Sequence, residues 1–219
     1  MAPINNLNKN SELNIVNNTL LLYENLKQER YGLEKIWQQV AHYVRPQRKL
    51  FKEDLINNQD IYDSTAIVAS EQLVSGLWSM VSSSASSWFY LRLKNMVSGQ
   101  EEEIKSWLGQ INHLMKENLS DASSGFYYKS YEFYADLVCF GTGIFYMTEN
   151  LEDKKVIYTA INLSETFITK TYNQIDTVIR IINLTSKQAM ELFGYANVSK
   201  AIKEDYYRAN NSTGHTIFP

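Results

Sequence analysis

The chain has 219 residues, of which 44% are hydrophobic and 13% aromatic, with nine glycines and three prolines. That composition excludes intrinsic disorder and fibrous repeats, and the length suffices for one good core or for a helical layer with a small sheet domain. A net charge of −3, with no basic cluster longer than Arg45-Pro46-Gln47-Arg48-Lys49, leaves little to neutralise phosphates, so tight duplex binding is not expected.

A single cysteine, Cys139, has no internal partner, and its neighbours Val138 and Phe140 make it read as a buried small hydrophobe in a reducing compartment. Met1 to Asn10 lacks an apolar core, which argues against a signal peptide. No run reaches the roughly 18 apolar residues that a membrane span needs. The expectation is a cytosolic protein that contacts no membrane.

The first helical pattern runs from about Thr19 to Val44, with Leu26, Leu33 and Val40 on one row and Tyr23, Arg30, Trp37 and Val44 on the next. Pro46 ends it, and 47–60 reads as a polar loop. Asp63 or Ser64 can then accept hydrogen bonds from the free N–H groups of a helix beginning near Thr65. Within 65–85, Ala66, Ala69, Ser70, Ser75 and Gly76 keep that helix thin. Leu73, Leu77 and Met80 form one apolar stripe and Ile67, Val74, Trp78 and Val81 another, so the helix is expected to be buried. The serine run 82–87 breaks the periodicity. Trp88 to Leu93 reads as an extended link or edge strand, with Trp88 and Phe89 packed against the preceding helix.

Ser98 is placed to cap a helix whose first turn carries Glu101, Glu102 and Glu103, with Ile104, Leu108, Ile111, Met115 and Leu119 as its buried stripe. The next helix, 126–140, is dense in aromatic residues, Tyr131 among them. Rings at this spacing read as a packed core or subunit interface, because base-stacking platforms combine rings with basic grooves and only Lys129 lies within the cluster. Gly141-Thr142-Gly143 can turn the chain from this helix into strands, one of the two glycines taking a positive φ. Strands are expected at about 143–149, 155–161, 166–172 and 175–184, forming a small antiparallel sheet or partial barrel. Thr185 caps a short helix through Phe193 that Gly194 closes, and a charged helix follows over 199–209.

No catalytic, cofactor-binding or metal-ligating set emerges. His42, His113 and His215 lie on separate elements without Cys or His at ligand spacing. Ser64 lacks the glycine setting of a strained nucleophile turn, and the apolar neighbours of Cys139 raise a thiol's pKa. On residues alone, the chain reads as a cytosolic interaction protein, with a helical adaptor as one form of that reading.

The ordered series Trp37, Tyr43, Pro46, Arg48; Tyr62-Asp63-Ser64-Thr65-Ala66; a small-residue helix followed by Trp88-Phe89; and an aromatic helix closing on Phe140-Gly141-Thr142-Gly143 resembles the N-terminal part of the portal, or head-to-tail connector, of short-tailed phages. The match runs from about Leu26 to Gly194. Members of that family continue well beyond the point at which this chain stops, so the resemblance implies that channel-lining and motor-docking segments are missing here. It implies an α+β, wing-like fold with a helical region over 1–141, a small β domain over 142–184 and short helices over 185–219. It also implies a homo-oligomeric ring, a dodecamer, assembled in the host cytoplasm and set at one vertex of the virion. A terminase motor, capsid and tail proteins are its implied partners, and duplex DNA passes through without being held tightly. Candidate structural or subunit-interface residues are Tyr62, Asp63, Ser64, Gly76, Trp88, Phe89, Tyr131, Gly141 and Gly143.

Overall fold

The computed structural model describes residues 5–46, 62–93, 101–151, 153–172, 174–211 and 217–218. The polar loop expected over 47–60 and the cap expected at Ser98 lie outside them. The fold is α+β. Four helices come first: α1 (Asn5–Val44), α2 (Thr65–Val81), α3 (Glu101–Ser120) and α4 (Phe126–Phe140). Strands β1 (Ile144–Asn150), β2 (Lys155–Ile161), β3 (Thr166–Thr171), β4 (Gln174–Arg180) and β5 (Leu184–Thr185) come next, then α5 (Ser186–Phe193), α6 (Lys200–Asn211) and β6 (Ile217–Phe218).

Helix α1 begins well before the expected Thr19, because an established helix propagates through polar residues at little cost once a packed stretch has nucleated it. Its C-terminal half carries the core: Ala41 is buried with Phe140 of α4 and Leu163, and Trp37, Val40, Cys139 and Ile144 pack around them. Arg45 adds a charged tie, donating from Nη1 to Oδ1 of the buried Asp136 on α4 at 2.7 Å.

The four expected strands form two separate antiparallel hairpins, β1 with β2 and β3 with β4, in place of one sheet. The break lies at a 3-10 turn, Leu163–Glu165, where the Asn162 side chain accepts from the Ser164 N–H. Arg30 of α1 holds that turn. Its guanidinium donates to the carbonyls of Leu163 (3.0 Å), Ser164 (3.0 Å) and Thr166 (2.7 Å), and lies 3.6 Å from the Phe167 ring centroid. Glu34, one helical turn on, accepts from Arg30 Nε at 2.7 Å. Once those carbonyls point at α1, β3 runs against α1 and does not align beside β2. The Tyr23 ring meets Phe167 edge-on at 4.9 Å and completes the contact.

The α4-to-β1 corner uses its two glycines differently. Gly141 has φ +72, the left-handed C-cap that the sequence calls for. Gly143 has no such φ; a Cβ there would stand 2.7 Å from the Phe133 ring and 2.8 Å from the Phe133 carbonyl oxygen. One glycine supplies conformation and the other space. Further on, Thr185 and Gln188 make a reciprocal capping box that starts α5, and Gly194 (φ +78) closes it.

Candidate subunit interface

Helix α2 starts as its sequence requires. Oδ1 of Asp63 accepts from the Thr65 N–H at 2.8 Å and from the Thr65 hydroxyl at 2.6 Å, which holds the Asp63 carboxyl below its ordinary range. Ser64 occupies the cap position but makes no side-chain cap bond. Of the two apolar stripes, the one carrying Ile67, Val74 and Trp78 faces α4. Val74 is fully buried, and the Trp78 indole N–H is shared between the Tyr127 carbonyl (3.1 Å) and the Ser130 hydroxyl (3.2 Å). Tyr131 of α4 donates its hydroxyl to Glu71 at 2.6 Å, and that bond raises the tyrosine's pKa.

Of the other stripe Leu77 is half-buried and the rest is open, as is Val81 at the end of the first, which corrects the expectation of a buried helix. Leu73 is 53% exposed and Met80 84%. One chain supplies α2 with one main neighbour, and a single neighbour covers one face. Ala66, Ala69, Leu73, Gly76 and Met80 recur at intervals of three and four along the uncovered flank, the spacing of a helix-to-helix seam. At Gly76 a Cβ would meet nothing within 4 Å among the described residues, so their packing gives no reason for a glycine there.

Trp88 and Phe89 also depart from expectation. Trp88 is 38% exposed and Phe89 half-buried; the Trp88 ring stacks on Phe126 at the start of α4, 5.8 Å away and nearly parallel. Phe126 in turn meets Tyr158 and Phe145 of the first hairpin edge-on at 5.0 and 5.9 Å. The link thus docks on an aromatic cluster centred on Phe126, which the sequence marks only by its density of rings. The segment 87–93 is extended without pairing as a strand.

Tyr62 stands 93% exposed at the head of α2. The nine candidate residues therefore do not converge on one spot: Tyr62, Asp63, Ser64 and Gly76 lie on or before α2, Trp88 and Phe89 on the link, and Tyr131, Gly141 and Gly143 on α4 and its corner. Sequence reading missed Arg30 as an anchor, although an arginine on a helix row otherwise made of Tyr23, Trp37 and Val44 is the signal that could have found it. Burial raises the Cys139 thiol's pKa, as expected for an inert packing cysteine. Among the described residues, no group of His, Cys, Asp and Glu could hold a metal ion, and no helix is long and apolar enough to cross a membrane.

Eleven buried hydrophobic side chains stand against thirty-two exposed large ones among the described residues. Exposed apolar surface on that scale is a mark of surfaces that meet other molecules. Residues 17–218 match the model of the bacteriophage head to tail connecting protein family, and the chain belongs to that family. It is 29% identical over 185 residues to the portal protein of Salmonella phage epsilon15, an alignment covering 81% of this chain and 33% of the relative. The chain thus spans about a third of the length of that relative.

Proposed function

We propose that this chain serves as the wing-like part of a phage portal subunit, packing side by side with its own copies in a ring at the capsid vertex. In that reading genomic DNA is packaged and ejected through the ring, a terminase motor and tail proteins attach to it, and the DNA is not gripped by this part. The division into a helical region over 1–141 and a small β domain over 142–184 belongs to the same proposal, as does a dodecameric ring.

The observation that carries it is the uncovered flank of α2. Small residues at 66, 69 and 76 let a helix backbone approach closely, and Leu73 and Met80 supply apolar area on the same flank. Family membership supplies the kind of assembly, and the chain's mild acidity agrees with a channel through which DNA must slide. Light scattering across a concentration series tests it, together with electron microscopy of the assembled material. Association that rises with concentration, and ring-shaped particles, are expected. A strict monomer at high concentration, with no rings, would overturn the proposal.

A further inference from the structure

We infer that the open flank of α2 receives the N-terminal arm of α1 from the neighbouring copy, a head-to-tail contact made by Val16 and Leu20 of one chain on Leu73, Gly76 and Met80 of the next. The inference rests on the reading of α2 as the seam between copies and names the surface that fills it.

The arm projects past its own fold. At about 1.5 Å per residue, α1 extends roughly 27 Å from Asn5 to Tyr23, whose ring meets Phe167. Ahead of that contact every residue from Asn14 to Leu21 is exposed among the described residues, and Ile15, Val16, Leu20 and Leu21 are each more than half exposed. The charge pattern marks the same stretch. No charged residue stands between Glu12 and Glu24, whereas Glu24, Lys27, Glu29, Arg30, Glu34 and Lys35 follow in close succession. Charges are thus plentiful where α1 runs along its own domain and absent where it projects, the depletion expected of a helix that another molecule covers.

The flank of α2 matches the arm in chemistry and in shape. Its helix has one charged residue, Glu71, which the Tyr131 hydroxyl engages, so two uncharged apolar surfaces would meet. Leu73 and Met80 stand on either side of Gly76, where a Cβ would meet nothing within 4 Å among the described residues. Val16 and Leu20, one helical turn apart, form a ridge of the kind that packs into such a gap.

Both surfaces are open among the described residues of one chain, so they do not cover each other there and meet only between copies. Two different surfaces that pair between copies make a heterologous contact, which repeats from one copy to the next and closes a ring when the rotation allows. A second α2 on the same flank would make a two-fold contact that stops at a pair. A ring therefore favours the arm.

Complementation between two variants tests this, read by sedimentation velocity over a concentration series in which the parent associates. Val16→Glu with Leu20→Glu disables the arm, and Gly76→Leu disables the flank. Each variant alone should associate at least about tenfold more weakly than the parent, because closing the seam would bury two carboxylates in one case and overfill the gap in the other. Mixed in equal amounts, they should form a dimer of one copy of each and nothing larger, through the one intact flank and the one intact arm. Should the double variant lose its fold, Leu20→Lys alone carries the same test. An arm variant that associates as the parent does, or a mixture no more associated than its components, would overturn the inference and leave self-association standing. A parent that stays monomeric at every concentration would instead overturn the reading on which the inference rests.

Discussion

Gly141 and Gly143 stand two residues apart and answer to different physics, which makes them separable by substitution. Asparagine tolerates the left-handed region, so Gly141→Asn should melt close to the parent, whereas Gly141→Val should cost about 1–3 kcal/mol. At Gly143 even alanine meets a backbone oxygen that cannot step aside, so Gly143→Ala should cost about 1–3 kcal/mol and Gly143→Asn no less. Denaturant unfolding of the four variants checks this, and similar losses for both asparagine variants would contradict it. The sequence revealed that the corner needs glycine, but it could not reveal that Phe133, ten residues back, occupies the place of a side chain. Arg30 shows the same limit over a longer distance: its three carbonyl partners lie more than 130 positions away in the chain. Because a lysine cannot fork to three acceptors while stacking on Phe167, Arg30→Lys should lose about 2–4 kcal/mol, close to the loss for Arg30→Ala. A lysine variant as stable as the parent, again by denaturant unfolding, would count against the anchor.

Among the elements, the turn from α3 into α4 is tied to the first hairpin by the ion pair between Lys155 and Asp121, 2.5 Å apart, with Ser123 also donating to the carboxylate. The Lys155 bond, then the Ser123 bonds, hold the Asp121 pKa at about 2, below its ordinary 3.8, and the Lys155 pKa is raised by the same pair. A carboxyl with a depressed folded pKa contributes stability above its ordinary pKa and loses it as pH falls through the folded value. The Asp121 contribution is therefore intact at neutral pH and fades between about pH 4 and 2. Relative to Asp121→Asn, the parent's advantage in thermal melts should be constant above about pH 4 and vanish towards about pH 2; an advantage that persisted at the acid end would contradict this. Elements are also where the sequence was most legible. Periodicity and caps placed α4 and α5 at their observed bounds and all four main strands to within a few residues, because each is set by local chemistry. The separation into two hairpins was not legible, since it depends on Arg30 reaching across from α1.

Across the described residues, exposed large hydrophobic side chains outnumber buried ones, and this decides how α2 is read. Amphipathic patterning counts how much of a helix wants cover; it does not say whether the cover comes from the same chain. The helix reads as buried because its sequence is apolar on nearly every side, and one of its flanks is left uncovered among the described residues. Trp88 departs from expectation for a related reason: the apolar helix that precedes it in sequence is α2, but the ring it stacks on is Phe126 of α4.

Whether the open flank of α2 is the seam between copies is decided most sharply at Gly76, because the two roles of that position demand opposite outcomes. A Cβ there meets nothing within 4 Å among the described residues and leucine is the better helix former by up to about 1 kcal/mol, so Gly76→Leu should leave the isolated chain as stable as the parent or more so. In a close helix-to-helix seam the same side chain would hold the partner's backbone away. Sedimentation velocity of parent and variant across one concentration series, alongside their melts, should give equal or higher stability with association lost. A variant that associated as well as the parent would show that the seam lies elsewhere.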